Sequence, residues 1–300
     1  LVDYACRDDY GARSEDVSAW AGLFYFAART TGDGQESRPF ITWPEGNGRG
    51  VQHLFQQIRE HCHLGWAVAD LNVAGKDAER TIEVRAVRPQ GQSRGFRAQH
   101  VIFAAPQFLA KFLLRSYRQN PPPHLPAFQY GAWAVANLVL SECPASTGCP
   151  IAWDNVLYES PSLGYVSASY QRGLDHGPAV WTYYYPVCDA DPKVARTRLL
   201  EIDRDGWAEI ALSDLERAHP NIRSLVQRID VMRWGHAMIR PRPGFLCGSE
   251  RHAAAEPVNG IHFAHADLSG LPLFEEAFFH GTRAAEEVLG EMGDVESILG

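Results

Sequence analysis

The stretch GIHFAHADLSGLPLFEEAFFHGTRAAEEVL, residues Gly260–Leu289, reads as a strand, a turn and a helix. Ile261, Phe263 and Ala264 form a short apolar run, and Asp267 stands just beyond its carboxyl end. Ser269-Gly270-Leu271-Pro272 then turns the chain. The spacing predicts a helix from about Leu273, with Phe274, Ala277, Phe278, Gly281, Ala284, Ala285 and Val288 on its apolar face. Glu275, Arg283, Glu286 and Glu287 line the opposite face. Small residues at Ala277, Gly281 and Ala284 let such a helix sit close to a sheet or a ligand.

Working outward, QHVIFAAP from Gln99 to Pro106 is a second short, nearly continuous apolar run, as a strand buried on both faces of a parallel sheet reads. Upstream, Gly46-Asn47-Gly48-Arg49-Gly50 precedes an amphipathic helix with Val51, Leu54, Phe55 and Ile58 on one side. Trp66 to Leu71 and Thr81 to Val87 read as strands, with turns at Gly75-Lys76-Asp77 and from Pro89 to Gly95. Residues 14–30 predict a helix capped by Ser14 or Ser18, followed by a polar loop at 31–38. From Pro121 to Arg242 aromatic strands dominate: Gln129 to Leu140, Gly164 to Tyr170, Ala179 to Pro186 and Met232 to Ile239. A helix is expected from Val194 to His219, stopped by Pro220. The α/β patterns at 41–115 and 250–290 therefore bracket an aromatic, mostly antiparallel insert, so the fold class expected is α/β with an α+β insert.

Composition narrows the partners. Apolar residues are 45% and charged residues 21% of 300, as in ordinary globular chains. A net charge of −8 argues against nucleic acid and anionic membrane, which favour a basic face. No apolar run approaches the roughly 18 residues needed to span a bilayer. Six cysteines are too few for a disulfide scaffold, which favours a cytoplasmic setting; Cys143 and Cys149 would close a small loop only in an exported protein. Export stays open, because a chain opening Leu1-Val2-Asp3 without an initiator methionine is expected to have lost an N-terminal segment. No C-x-x-C pair occurs and His61-Cys62-His63 lacks a second ligand pair, so no metal site is expected.

An acidic side chain at a strand's carboxyl end, beside a helix N-terminus, suits a cofactor carrying a polyol and a diphosphate. Asp267 has that position; it equally suits capping of its own turn, and spacing does not choose between the two. In the insert, Trp153, Trp181, Tyr183, Tyr184, Tyr185 and Trp234 offer an aromatic cage, against the plainer reading of each as sheet core. Tyr183 and Tyr185 oppose Tyr184 across the strand. No G-x-S-x-G or H-E-x-x-H occurs. His236 and His265 are the candidate proton-transfer groups, although a lone histidine is more often structural.

Four segments together resemble the FAD-dependent amine oxidase superfamily, which includes phytoene desaturase-like and protoporphyrinogen oxidase-like enzymes. They are TWPEGNGRGVQHL, GWAVADLNV, FRAQHVIFAAP and the Gly260–Leu289 stretch, in the family's order. The resemblance implies a discontinuous, partial Rossmann-like FAD-binding domain at 41–115 and 250–300. Residues 1–40 and 116–249 would then form a substrate domain, helical in its first part and built on a mixed or antiparallel sheet in its second. It implies that Val68 contacts adenine through its backbone, that Ala104, Ala105 and Pro106 approach the nucleotide, and that Asp267 meets the ribityl chain or diphosphate. The helix start from Phe274 to Ala277 would face the flavin's pyrimidine edge, and Trp234 would wall the ring. Tyr184, Trp153 and Trp234 are the candidates for the substrate and flavin cage.

The chain departs from the family at Ala266, where many members have glycine, and at Glu276, which adds bulk near the expected flavin edge. None of Lys76, Lys111 and Lys193 matches the family's flavin-facing lysine. No G-x-G-x-x-G occurs either; Gly46-Asn47-Gly48-Arg49-Gly50-Val51 ends on valine and follows no convincing strand. The expectation is an oxidoreductase moving a hydride from a small amine or apolar substrate to flavin N5, with weak or absent FAD binding by this chain alone. A non-catalytic relative of the same fold and a flavin-dependent isomerase or mutase are the alternatives.

Overall fold

The computed structural model describes residues 1–28, 43, 45–75, 79–145, 149–168, 173 and 176–293. In chain order the elements are α1 (Val2–Tyr10), α2 (Ala19–Ala27), α3 (Gly48–Ile58), β1 (Ala67–Ala74), β2 (Thr81–Val87), β3 (Ser93–Ala98) and β4 (Val101–Phe103). There follow α4 (Gln107–Leu113), α5 (Arg115–Gln119), β5 (Tyr130–Leu140), β6 (Asp154–Asn155), β7 (Tyr165–Ser167), β8 (Ala179–Val187) and α6 (Pro192–Glu201). The last are α7 (Arg204–Glu216), α8 (Ile222–Leu225), β9 (Val226–Ile239), α9 (Ser249–Ala255), β10 (Ile261–Phe263) and α10 (Phe274–Glu291). Two compact units share them: Leu1–Gly50 with Tyr130–Arg240, and Val51–Gln129 with Pro241–Gly300.

The first unit is built on a five-stranded antiparallel sheet in the order β6-β7-β8-β5-β9. Register assigns its two faces. Leu138 pairs with Trp181 and Ala136 with Tyr183, so these four share a face with Ala134 and Tyr185. That face is covered by α6 and α7 through Ala195, Leu199, Trp207, Ala208, Ala211 and Leu215, all buried. Trp181, fully buried, stacks on Tyr165 at 4.0 Å between ring centroids. On the other face Trp133 pairs with Trp234 and Val135 with Tyr184. There α1 ends at Gly11, a left-handed residue with φ +56°, and a Cβ at that position would sit 2.5 Å from Trp133 Nε1.

The second unit holds an antiparallel sheet β1-β2-β3 and a parallel pair β4–β10. One face of the pair carries Phe103 and Phe263, in edge contact at 5.8 Å, with Tyr117 stacked on Phe263 at 6.2 Å. The other face carries Ile102 and His262, which pair in register, and α10 packs against β10.

Several elements differ from the sequence pattern. The helix expected over Val194–His219 is two, because Ile202 is extended and Asp203 caps a new start by accepting from the Gly206 N–H at 2.8 Å. The helix expected over 14–30 begins as a single 3₁₀ turn, Ser14–Asp16, before α2; Ser18 precedes α2 without a side-chain cap, and residues 29–30 lie outside the described residues. So do the loop at 31–38, Lys76 with its turn partner Asp77, and Tyr170. The β4 run is not buried on both faces: Ile102 is 40% exposed. All six cysteines are free. No helix among the described residues is long and apolar enough to cross a membrane.

The largest difference lies in α10. Its phenylalanine face, Phe274 and Phe278 with Phe279 beside it, is exposed, and the buried members are His280 and Ala284. The residues that meet β10 are polar. Arg283 Nη2 donates to the Phe263 carbonyl at 2.6 Å, and His262 Nδ1 is 3.0 Å from Glu287. The expected apolar stripe is split: Ala284 is buried, whereas Phe274 and Phe278 are exposed, and Arg283 and Glu287 from the expected polar face meet the Phe263 carbonyl and the buried His262, which need polar partners.

Candidate functional site

The parallel pair ends in two short loops that leave the carboxyl edge of the sheet side by side, Ala104-Ala105-Pro106 after β4 and Ala264 to Asp267 after β10. In open α/β sheets ligands bind outside this edge. The Ala264 N–H donates to the Phe103 carbonyl at 3.0 Å and so continues the ladder into the loops. Asp267, 2% exposed, accepts the Gln107 N–H on Oδ2 at 2.8 Å, which ties the start of α4 to the end of β10. Its own N–H lies 3.1 Å from His265 Nδ1, which also stands 3.0 Å from Asp267 Oδ1. The carboxylate bridges two loops 160 residues apart in the chain.

Gln107 is the residue the sequence reading missed. Its side chain is 1% exposed, yet neither amide atom has a hydrogen-bonding partner among the described residues. A buried amide left open in this way costs roughly 1–3 kcal/mol unless a further group meets it. The only signal in the sequence is a glutamine directly after Ala-Pro in an otherwise apolar run.

Around Asp267 the loop is held firmly. Arg251 donates to the Leu268 carbonyl at 2.8 Å and to Leu246 at 2.8 Å. Ser269 Oγ donates to Glu276 and lies 2.8 Å from His280 Nε2, while Arg283 Nε donates to His280 Nδ1 at 3.3 Å. Burial first, then the positive charges of Arg283 and Arg251, push the His280 pKa down to about 4. The ring is therefore neutral at physiological pH. The first turn of α10 has no side-chain cap, and its free N–H groups lie next to Glu275 and Glu276. Phe274 and Ala277 are exposed, and Glu276 is half-buried. Val68, on β1, is 42% exposed beside a bulge at Val68/Asp70.

The aromatic candidates separate by sheet face in the first unit. Trp181, Tyr183 and Tyr185 lie in the helix-covered core. Tyr184 and Trp234 share the opposite face, together with Trp133, which the sequence reading had not singled out and which stacks on Tyr184 at 6.3 Å. Tyr184 donates to Asp154 at 2.6 Å, and Tyr4 donates to the other carboxylate oxygen at 3.2 Å. Burial, then the bond to Asp154, raises the Tyr184 pKa well above the usual phenol range, so it stays a neutral donor. Trp153 is 44% exposed and immediately precedes β6. His236 lies edge-on to Tyr130 at 5.5 Å, and His265 is engaged by the Asp267 backbone.

A discontinuous α/β unit with a polar bridge at the carboxyl edge of a parallel pair, joined in one chain to an aromatic antiparallel sheet, defines a two-unit α/β protein. Residues 6–289 match the family model described as flavin containing amine oxidoreductase, and the chain belongs to that family. It is similar to the oxidoreductase PigB of Serratia sp. (strain ATCC 39006), 23% identical over 321 residues, covering 95% of this chain and 42% of that protein. Among solved structures it resembles cyclohexylamine oxidase from Brevibacterium oxydans IH-35A, with TM-score 0.63, 16% identity and coverage of 97% of this chain and 64% of that one. A putrescine oxidase redesigned in its cofactor binding gives TM-score 0.64, 13% identity, 96% and 64%. The chain thus spans less than half of PigB and under two thirds of either oxidase.

Proposed function

We propose that this chain supplies part of an FAD-dependent oxidoreductase of the amine oxidase type, acting on a small amine or apolar substrate. The observation that carries the reading is the buried, unpartnered Gln107 amide beside the Asp267 bridge, at the edge where α/β sheets take their ligands. When bound, FAD supplies a hydride acceptor at N5. The chain's own residues hold and orient. Asp267 fixes the start of α4, so that the Gln107 amide is presented to ribityl hydroxyls. Ala104, Ala105 and Pro106 keep the edge low enough for close approach of the nucleotide. Val68 offers its backbone to the adenine, and the uncapped first turn of α10, from Phe274 through Glu276 to Ala277, faces the pyrimidine edge with N–H donors. On the other unit the exposed Trp234 and Trp153 would offer aromatic surface to the apolar part of a substrate, while Tyr184, bonded to Asp154, and the buried Trp133 stacked on it would support that side of the sheet.

The test is flavin content. A gene product including any segment encoded before Leu1 is expected to purify with flavin absorbance, and Asp267→Ala to lose it while remaining folded. The 300-residue chain alone is expected to bind FAD weakly or not at all, because it contains no G-x-G-x-x-G to receive the diphosphate. A colourless full-length product would overturn the proposal. That outcome would favour a non-catalytic member of the fold, a reading that the internal ties of Asp267 and Glu276 support. Turnover without any electron acceptor would instead mark an isomerase or mutase.

A further inference from the structure

His100, His262 and Glu291 meet on the face of the β4–β10 pair covered by α10, away from the carboxyl edge. Register brings them together: His262 pairs with Ile102, and His100, two residues earlier on the same strand direction, projects to the same side. Glu291 is the last residue of α10. The His262 ring is fully buried and that of His100 is 15% exposed. His262 Nδ1 faces the Glu287 carboxylate at 3.0 Å and donates to it, so that in the neutral ring the lone pair is on Nε2. That Nε2 has no hydrogen-bonding partner and lies 3.6 Å from Glu291 Oε1; His100 Nδ1 is likewise without a hydrogen bond, 3.3 Å from Oε2. In the neutral ring that lone pair would be set against a buried carboxylate, a repulsion relieved by a proton or by a metal cation between them, and the two imidazoles converging on the carboxylate favour the metal.

We infer that these three residues form a site for a divalent transition-metal ion of the zinc class. Zn–N and Zn–O bonds of about 2.0–2.1 Å put neighbouring ligand atoms roughly 3.3–3.4 Å apart in a tetrahedron. His100 Nδ1 stands 3.3 Å from one Glu291 oxygen and His262 Nε2 3.6 Å from the other, and one ligand atom from each residue falls within 4.8 Å of the other two, so small side-chain adjustments would close the three onto one ion. Two imidazoles and one carboxylate suit Zn²⁺, with water completing the shell. The Glu287 carboxylate behind His262 is the outer partner that fixes the tautomer of a metal-bound histidine, and Arg283 in turn holds Glu287. One charge opposes binding. Arg80 Nη2 stands 3.9 Å from Glu291, beyond hydrogen-bond reach. It also lines a cleft of about 510 Å³ between Gly75, Arg115 and Asn259, which gives the guanidinium room to withdraw. The ion would clamp the C-terminal end of α10 to the start of β4 and the middle of β10.

The test is titration of the chain with Zn²⁺ against a chromophoric chelator, with Co²⁺ as spectroscopic probe. Expected are one tight site, Co²⁺ bands of a nitrogen–oxygen environment without thiolate charge transfer, and a Tm raised by Zn²⁺. His100→Ala and Glu291→Gln, both at partly exposed positions, should each weaken binding on the order of 100-fold and abolish the thermal shift, with Tm in chelator unchanged. Arg80→Gln should tighten binding about 10-fold, which a merely structural cluster would not show. Absence of saturable binding, equal affinity in His100→Ala and the native chain, or a thiolate band from the His61-Cys62-His63 segment would each overturn the inference.

Discussion

Removing the Asp267 carboxylate strands the Gln107 N–H in a region where the aspartate itself is 2% exposed. Losing a buried acceptor of this kind costs roughly 1–3 kcal/mol. Asp267→Ala is therefore expected to lower the urea midpoint of the chain, and Asp267→Asn, which keeps a carbonyl oxygen, to lower it less. If the two are equal in stability, the bridge is not the stabilising contact. His280 gives a pH dependence. Its folded pKa of about 4 lies below the ordinary value of 6.5, so between these values the unfolded chain binds the extra proton. Its contribution is thus complete above pH 6.5 and is lost as the pH falls towards 4. His280→Gln should flatten the stability profile in that window and leave it unchanged at pH 8. At Gly11 an alanine would take a left-handed conformation costing about 1–2 kcal/mol and press its methyl on Trp133. Gly11→Ala should accordingly change the near-UV circular dichroism of that tryptophan as well as lower stability.

At the scale of elements, α10 is the informative case. Arg283 joins its inward stripe to the β10 carbonyl, to His280 and to Glu287. Arg283→Met keeps the packing stem and removes all three bonds, so amide exchange in α10 should accelerate while that in β5 and β8 does not. Uniform acceleration throughout the chain would contradict this local role. The position of α10 and the existence of β10 were legible because apolar periodicity and the Pro272 turn are local signals. Its orientation was not, since the demand comes from the Phe263 carbonyl and His262, which no periodicity records. The same holds for the site: Asp267 could be read from its place after a strand, whereas its true partner, Gln107, is specified only by the parallel pairing of two distant strands. Trp133 escaped notice for a similar reason, its aromatic neighbours being set by register with β8 and β9. The break between α6 and α7 was hidden because Ile202 fits an apolar helical pattern, and the Asp203 cap outweighs that pattern.

For the whole molecule, the first unit draws its N-terminal helices and its sheet from opposite sides of a long excursion. Tyr4 reaches Asp154, Asp16 accepts from Arg240 at 2.9 Å, and Arg7 bonds the Pro161 carbonyl. Deleting residues 1–27 should therefore expose Trp133 and Tyr184 and give a chain that binds hydrophobic dyes and loses a cooperative melt. A sharp, native-like transition after that deletion would show that the sheet and its α6–α7 layer suffice.

The parallel pair adds a consequence in time. β10 follows β4 roughly 160 residues later, which at ~5–20 residues per second is on the order of 10–30 s of synthesis. During that interval β4 lacks its β10 partner, while β5 to β9 emerge and can close their own sheet. The two halves of the Gln107–Asp267 bridge thus come together only once β10 has been made. The edge proposed to receive the cofactor is completed only after β5 to β9 have been made, and slowing translation between the two strands would lengthen the exposure of that edge without altering the finished fold.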